Sequence, residues 1–308
     1  MKNLSRVVFV MLTGCLFVSA GAMAEENPFD KAVRPITNPA YFDLAVPQNY
    51  VHPIFFYQTL PDKIDTALGK VDLDGDVQVY AVAAELALSE RFSLLAAKDG
   101  FIDFNPDETL SDETGWADIT AGVKWAFLYD RAKKLAGSAK LLFDLPSGSD
   151  DVFQGNGDGT ATPSVSILKL GDRWQVAGTV GLMLPFDTDE ESTLLFDSWH
   201  ISYAVTENFF PLLELNHFCV LSSGDGEKNF DKQAGGLVPA IAKFEGGDLV
   251  NLGAENSDDN RNIVTMGIGF RYRLTQAFDL GLAFEFPLTD DEKNLMETRT
   301  TFDLIWRY

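Results

Sequence analysis

Ser198, His200 and Ser202 alternate along one short segment, and Glu214 and Asn216 follow on the next. A serine beside a histidine is the pair that nucleophilic hydrolases use, with a third group that orients the imidazole ring. In an extended strand, side chains two residues apart point to the same face. The spacing therefore permits either a nucleophilic site or a cluster of hydrogen-bonded side chains.

The elements that carry these residues are predicted to be β-strands. Past Pro47, apolar side chains alternate with small or polar ones in segments of about ten residues. These segments are Val51–Leu60, Val77–Leu88, Arg91–Asp103, Trp116–Leu128, Leu135–Leu145, Thr162–Leu170, Arg173–Leu184, Leu194–Val205, Asn208–Leu221, Asn262–Arg273, Phe278–Pro287 and Arg299–Tyr308. The pattern predicts an all-β fold, an antiparallel up-and-down barrel of about 12 strands in an outer membrane.

The connections between these segments alternate in length. Short turns such as Gly171-Asp172 and Thr275-Gln276 separate longer, mostly acidic loops. The long loops are Pro61–Asp76, Pro106–Gly115, Pro146–Gly159, Pro185–Ser192, Ser222–Arg261 and Leu288–Glu297. Outer-membrane barrels have short periplasmic turns and long extracellular loops. We therefore expect the barrel, residues 50–308, to begin and end on the periplasmic side.

The first residues have the layout of a secretory signal peptide. Lys2 and Arg6 precede an apolar run, and Ala22-Met23-Ala24 precedes two glutamates. Residues 1–24 are expected to be cleaved on export from a Gram-negative cytoplasm to the outer membrane. A lipobox ending at Cys15 is the alternative. Residues 25–49, rich in proline, are expected to form a periplasmic tail or a hatch that enters the lumen.

Charge and cysteine content exclude several classes of protein. The formal net charge is −22, and cleavage would remove two further positive charges, so nucleic acid is not an expected partner. Cys219 would be the single cysteine left, and one thiol makes neither an intrachain disulfide nor a cysteine-based zinc site.

The polar faces of the strands carry charge of both signs, which alternation directs into the lumen. The candidate lumen-lining residues are Glu85, Asp118, Lys124, Lys140, Asp144, His200, Glu214, Arg271, Arg273, Asp279, Glu285, Asp303 and Arg307. Such residues would either line a polar path or pair across the barrel and close it. The turn at Thr206-Glu207 brings Glu214 across from His200.

Two acidic loops have residue types that bind calcium. The candidate ligands are Asp72, Asp74, Asp76, Asp151 and Asp158. Hard cations require several such oxygens, but neither loop has the spacing or the final glutamate of an EF-hand. We expect solvated loops that attract divalent ions shared with lipopolysaccharide, and we predict no cofactor.

His200-Ile201-Ser202 followed by Asn216 resembles the site of outer-membrane phospholipases, which lies on the lipid-facing wall. Alternation here sets His200 and Ser202 opposite Trp199, Ile201 and Tyr203, so that they face the lumen. We therefore expect a hydrogen-bonded cluster and no catalytic residues, and keep a lipid hydrolase as the second alternative function.

The last strand ends in Tyr308, with Trp306, Leu304 and Phe302 on the same face. This pattern resembles the signal by which the barrel-assembly machinery recognises outer-membrane proteins. It predicts that machinery, together with outer-membrane lipid and lipopolysaccharide, as partners.

Several motifs resemble the MetA-pathway of phenol degradation family of outer-membrane proteins. They are Ile36-Thr37-Asn38-Pro39, Pro53-Ile54-Phe55-Phe56-Tyr57, Gly115-Trp116-Ala117-Asp118-Ile119, Asp151-Val152-Phe153-Gln154-Gly155-Asn156-Gly157 and Gly269-Phe270-Arg271-Tyr272-Arg273-Leu274. The resemblance implies a channel or transporter for small solutes, with hydrophobic or aromatic compounds as the expected class. The first alternative is a closed structural or ligand-binding barrel.

Overall fold

A computed structural model describes residues 27–308, so the predicted signal peptide and the alternative at Cys15 lie outside the described residues. The strands are β1 Tyr50–Thr59, β2 Lys63–Thr66, β3 Gly69–Asp72, β4 Gly75–Ala87, β5 Phe92–Lys98, β6 Gly100–Pro106, β7 Glu113–Trp116, β8 Ile119–Asp130, β9 Leu135–Leu145, β10 Thr160–Leu170, β11 Trp174–Pro185, β12 Thr193–Tyr203, β13 Phe209–Ser222, β14 Asn262–Arg273, β15 Phe278–Pro287 and β16 Thr298–Arg307. Short helical turns lie at Pro28–Lys31, Asp150–Val152, Ala234–Gly236, Val238–Ile241, Ser257–Asn260 and Asp291–Lys293.

The strands form a closed antiparallel barrel. Each wall strand pairs with its neighbours in sequence, and β1 pairs with both β4 and β16, which closes the ring. β5 and β6 act as one wall strand, as do β7 and β8, while β2 and β3 form a hairpin above the rim. The wall therefore has 12 strands, as predicted.

The two faces of the wall differ as the alternation predicts. On β12, Ser198, His200 and Ser202 are 0%, 1% and 3% exposed, whereas Trp199 and Tyr203 are 49% and 47% exposed. The outward face carries large apolar and aromatic side chains, as a lipid-facing surface requires. Polar side chains are thus directed inward.

Two predicted strands are interrupted in the structure. The prediction of one strand over Arg91–Asp103 was wrong, because this segment divides at Asp99 into β5 and β6. The second interrupted strand is Trp116–Leu128. The structure interrupts it between β7 and β8, and Trp116 and Ile119 both face outward at 63% and 45% exposed. Ala117 and Asp118 separate these two residues, and an extra residue in a strand reverses the face to which every following side chain points. The prediction of one uninterrupted strand there was wrong.

The N-terminal segment and one long loop fill and cover the lumen. The barrel end with the long loops is called extracellular and the end with the short turns periplasmic, following the sequence prediction. Residues 27–48, here named the plug, lie within the lumen and are hydrogen-bonded to its wall. Residues 223–261, here named the long loop, fold across the extracellular mouth. Phe230, Phe244 and Leu252 of the long loop are buried in a hydrophobic cluster with Phe104 and Phe153. Within residues 27–308, the structure has no helix that is long and apolar enough to span a membrane.

Candidate functional site: the filled lumen

The plug is tied to the wall through its backbone. Val33 and Gln175 exchange two hydrogen bonds, from the Val33 N–H at 2.8 Å and from Gln175 Nε2 to the Val33 carbonyl at 2.5 Å. Lys140 Nζ donates to the Tyr41 carbonyl at 2.9 Å. A segment without regular secondary structure must satisfy its buried backbone groups elsewhere, and here the polar wall does so.

Glu214 is the principal acceptor for the middle of the plug. Its carboxylate accepts hydrogen bonds from the Ile36 N–H at 3.1 Å, from the Thr37 N–H at 2.7 Å and from Thr37 Oγ1 at 2.7 Å. His200 Nδ1 lies 2.7 Å from the same carboxylate, and His200 pairs directly with Glu214 in the β12–β13 ladder. The register inferred from the turn at Thr206-Glu207 therefore agrees with the structure.

This arrangement does not assemble a nucleophilic site. His200 Nε2 is buried and has no hydrogen-bond partner, so it does not contact the Ser202 hydroxyl. Ser198 donates to Asn216 Oδ1 at 2.7 Å and accepts from Asn38 of the plug at 2.9 Å. Glu214 orients the His200 ring, but the same carboxylate holds the plug, and the free Nε2 of that ring has no serine hydroxyl as a partner.

A second anchor is a cluster of buried charges. Asp43 of the plug forms ion pairs with Arg34, also of the plug, and with Lys124 of β8. Lys124 also contacts Glu85 of β4 at 2.9 Å. The Arg34 guanidinium stacks 3.9 Å above the ring of Tyr50. Buried charges are tolerated when they are paired and hydrogen-bonded, so this cluster fixes the plug in one position.

Arg271 and Asp303 form a third contact with the plug. Two nitrogens of Arg271 bond to the Asp303 carboxylate at 2.8 and 2.9 Å, and the guanidinium also donates to the carbonyls of Arg34 and Pro35. His52 Nε2 lies 2.6 Å from Asp303 Oδ2, the oxygen that also accepts from one Arg271 nitrogen. All three wall residues are buried.

At the periplasmic end the lumen opens into a vestibule of about 1520 Å³. Arg273 and Arg307 both pair with Asp279 near this opening. Deeper in the lumen, two cavities of about 20 Å³ each lie between the plug, the long loop and the wall. Such a volume holds about one water molecule.

At the extracellular end the long loop is tied to the wall by Asp248. Arg299 of β16 donates to both carboxylate oxygens of Asp248, at 2.8 and 2.9 Å. Arg299 also donates to Gln58 at 2.8 Å, lies 3.8 Å from Glu285 and stacks 4.4 Å from the ring of Phe56. A bidentate pair of this kind fixes both position and orientation.

The structure places the candidate lumen residues in four groups. The residues that contact the plug or its partners are Glu85, Lys124, Lys140, His200, Glu214, Arg271 and Asp303. Those at the periplasmic opening are Arg273, Asp279 and Arg307. Glu285 lies beside Arg299. Asp118 and Asp144 line a cavity near the extracellular end, and Asp118 accepts hydrogen bonds from the backbone of Ser147, Gly148 and Gly155.

The candidate calcium ligands are dispersed. Asp72 pairs with Lys63 at 2.7 Å and Asp151 pairs with Lys232 at 2.8 Å. Asp74 and Asp76 lie where β4 begins, and Asp158 is exposed in another loop. In the part of the chain that the structure describes, no three His, Cys, Asp or Glu residues converge as a metal site.

Sequence reasoning did not identify several residues that hold the lumen closed. They are Arg34 and Asp43 of the plug, Asp248 of the long loop, and His52 and Arg299 of the wall. Alternation indicates that His52 and Arg299 face inward. It gives no information on plug and loop residues, whose segments have no strand period.

Comparisons with known proteins agree with this architecture. Residues 59–302 match the model of the family described as "Putative MetA-pathway of phenol degradation". The chain belongs to this family.

Among solved structures, an outer membrane channel from Pseudomonas putida F1 has a TM-score of 0.59 at 14% identity, covering 90% of this chain and 100% of that one. The NanC porin has a TM-score of 0.51 at 6% identity, covering 84% of this chain and 100% of that one. No curated protein matches the sequence. This member of the family is thus a porin-like β-barrel of the outer-membrane type.

Proposed function

We propose that this member of the MetA-pathway family is an outer-membrane channel for small solutes whose lumen is closed by its own plug and long loop. The observation that carries the proposal is the polarity of the wall beneath the plug. A barrel that serves only as a scaffold can fill its interior with apolar side chains, whereas this wall keeps Glu85, Lys124, Lys140, Arg271 and Asp303 inside. Movement of the plug would expose a path lined by both charge signs.

The substrate class follows from the family and from the chemistry of the wall. The family description concerns phenol degradation, and a phenol combines an apolar ring with a hydroxyl that can hydrogen-bond to a polar wall. Small aromatic compounds bearing such a group are the solutes we propose. The plug's Tyr41 and Phe42 are buried against wall side chains and would contact an aromatic ring that entered the lumen.

A closed barrel used for binding or structure is the second candidate. It is favoured by the extent of filling, because the plug and the long loop are both held by buried ion pairs. The two functions differ in one property: a channel has an open state that is reached without unfolding the wall.

A disulfide that locks the plug provides the test. Asn38 of the plug and Ser198 of the wall are hydrogen-bonded at 2.9 Å, so Asn38→Cys with Ser198→Cys places two thiols close together. The lipid-facing Cys219 is replaced by serine to prevent mispairing. We expect single-channel openings from the parent barrel in planar bilayers, silence from the locked variant, and recovery when the disulfide is reduced.

The controls separate a failed barrel from a closed one. Each variant is first checked for the heat-modifiable migration of a folded barrel, and deletion of residues 27–48 supplies a form without the plug. If the deletion variant conducts and the parent barrel does not, the result still identifies a plugged channel. Silence from both folded forms would favour the closed barrel.

Export and assembly are part of the same proposal. We propose cleavage after Ala24 and insertion by the barrel-assembly machinery, supported by outward-facing Phe302, Trp306 and Tyr308 at 44%, 46% and 55% exposure on the last strand and its end. The acidic extracellular loops would bind lipopolysaccharide through shared divalent ions. Mass spectrometry of the mature N-terminus and cell fractionation test this placement.

A further inference from the structure

One row of directly opposed lumen residues changes from apolar to polar beneath the plug. Ala136 of β9, Leu168 of β10 and Ala177 of β11 are paired in register. The row continues to His200 of β12 and Glu214 of β13. All five side chains are buried. The row therefore provides an apolar surface that ends at a histidine and a carboxylate.

The plug covers this row with an aromatic ring. Phe42 is 3% exposed and belongs to the same buried cluster as the three apolar residues of the row. Its ring meets the His200 ring edge to face, with the centroids 6.5 Å apart and the ring planes at 73°. A phenyl group without any polar atom thus fills the space next to the polar end of the row.

His200 has one ring nitrogen that holds neither the plug nor the wall. Nδ1 lies 2.7 Å from the Glu214 carboxylate, which only accepts hydrogen bonds, so Nδ1 carries the proton in the neutral ring. Nε2 is then an acceptor, and within residues 27–308 it is buried without a hydrogen-bond partner. The two nitrogens of an imidazole point in nearly opposite directions, so Nε2 faces away from Glu214. Because buried acceptors are normally hydrogen-bonded, this nitrogen is a candidate to receive a donor from a ligand.

We propose that the space held by Phe42 is a binding site for a single aromatic ring with a hydroxyl group, whose hydrogen bond His200 Nε2 accepts. The solute's ring takes the place of the Phe42 ring against the apolar part of the row, and its hydroxyl makes the bond that phenylalanine cannot make. Phe42 is then a substitute for the solute that the chain carries itself. This inference rests on the proposed function for the class of solute, and it adds the residues that recognise that class.

Competition for one space links solute binding to the position of the plug. An entering ring contacts Phe42 and then takes its place, so this part of the plug must move for the solute to bind. Asp43, the next residue, forms an ion pair with Lys124 of β8, so movement of Phe42 also loosens this anchor. A ligand that binds one of two states shifts the equilibrium toward that state. The solute would therefore favour release of the plug.

The test uses Phe42→Ala in the full barrel, which removes the competing ring and leaves the wall unchanged. Binding is followed by fluorine NMR with 4-fluorophenol and with 4-fluorotoluene, which has a similar shape but a methyl group in place of the hydroxyl. The control is Phe104→Ala, because Phe104 is buried in a different apolar cluster, beside Phe153. We expect the preference for 4-fluorophenol over 4-fluorotoluene to be about fivefold greater in Phe42→Ala than in the control, as one added hydrogen bond provides.

A second substitution assigns the preference to the histidine. Adding His200→Leu to Phe42→Ala should remove the preference for 4-fluorophenol and keep the affinity for 4-fluorotoluene. Loss of both ligands together would give His200 a structural role and overturn the proposal. Equal preference in the two alanine variants, or a preference that survives His200→Leu, would also overturn it. If His200→Leu prevents folding, the comparison of Phe42→Ala with Phe104→Ala decides.

The parent barrel provides an independent measurement of the competition. 4-Fluorophenol should accelerate trypsin cleavage after Lys31 of the plug, and 4-fluorotoluene at the same concentration should accelerate it less. The variant whose plug is locked by the disulfide between positions 38 and 198 should show no acceleration by either compound. An unchanged cleavage rate in the parent would overturn the competition between solute and Phe42.

The outcomes distinguish this site from the proposed channel. Binding of 4-fluorophenol depends on the lumen face of β9 to β12, whereas conductance depends on release of the plug and the long loop. A barrel that binds 4-fluorophenol through His200 but never conducts would keep the site and lose the channel. A conducting barrel without the His200-dependent preference would keep the channel and lose the site.

Discussion

Asp248, in the long loop, is held by two hydrogen bonds from Arg299, a buried residue of the last barrel strand. This contact joins an extracellular loop to the lumen wall, so the position of the loop depends on a charge inside the barrel. Gln58 and Glu285, which also contact Arg299, are wall residues as well.

Replacement of Asp248 by alanine is expected to release the long loop. Removing one member of a buried ion pair leaves the other uncompensated and costs about 3–5 kcal/mol, although Glu285 near Arg299 reduces that cost. Single-channel recordings should show more frequent openings than the parent. The matched control is Asp258→Ala, because Asp258 pairs with Arg261 in the same loop at an exposed position. Similar opening frequencies for the two variants would contradict a role for the Asp248 contact.

Glu214→Ala is expected to loosen the plug. The change leaves the buried N–H groups of Ile36 and Thr37 without their acceptor, at about 1–3 kcal/mol for each group. Trypsin should then cleave after Lys31 faster than in the parent, as followed by mass spectrometry of the fragments. Glu90→Ala, at an exposed periplasmic turn, should leave cleavage unchanged; a protected plug in Glu214→Ala would show that other anchors suffice.

The long loop is expected to pack more tightly in acid. Glu245 is fully buried in this loop and accepts hydrogen bonds from Ser192, Leu252 and Ala254. Burial raises its pKa to about 7. Because the pKa is raised by folding, the contribution to stability is complete below the ordinary glutamate pKa and is lost as pH rises through about 7.

The measurement is proteolysis of the long loop by proteinase K between pH 5 and pH 9. Glu245→Gln, which does not titrate, is digested in parallel and corrects for the pH dependence of the protease. The ratio of the two digestion rates should change with a midpoint near pH 7. A constant ratio would contradict the prediction.

Cys219 is expected to react with membrane-soluble maleimides and to resist water-soluble ones. It lies two residues from His217 on the outward face of β13, beside Leu195 of β12 in the ladder. Labelling of barrels in liposomes, read by mass shift, checks this orientation. A cysteine placed at Leu237 of the long loop, which is 52% exposed, should react with both reagents. Labelling of Cys219 by the water-soluble reagent alone would contradict a lipid-facing position.

The wall could be predicted from sequence because the membrane imposes one rule on every strand. Apolar residues such as Trp199 and Tyr203 must face lipid, which directs His200 inward, and a short turn then sets Glu214 opposite His200. The same register places Asp197 opposite His217. The contact between Asp197 and His217 was therefore within reach of sequence reasoning, because both polar residues lie on the outward face of β12 and β13.

The contents of the lumen could not be predicted in the same way. Asp248 reaches Arg299 through a loop whose course no alternation describes, and Asp43 meets Lys124 through a segment without strand period. Such contacts depend on tertiary packing between segments far apart in the chain. The break at Ala117 and Asp118 was missed because an added residue interrupts the period without changing the residue types on either side.

The plug ends at Gln48, and β1 begins at Tyr50. A covalent tether this short keeps a displaced plug at the barrel mouth, at an effective concentration that is millimolar or higher. Rebinding is then an intramolecular event that needs no partner, no energy source and no newly synthesised chain. The connection between plug and wall thus gives this barrel its own reversible, tethered blocker, and the frequency of opening depends on how firmly the anchors hold the plug and the long loop.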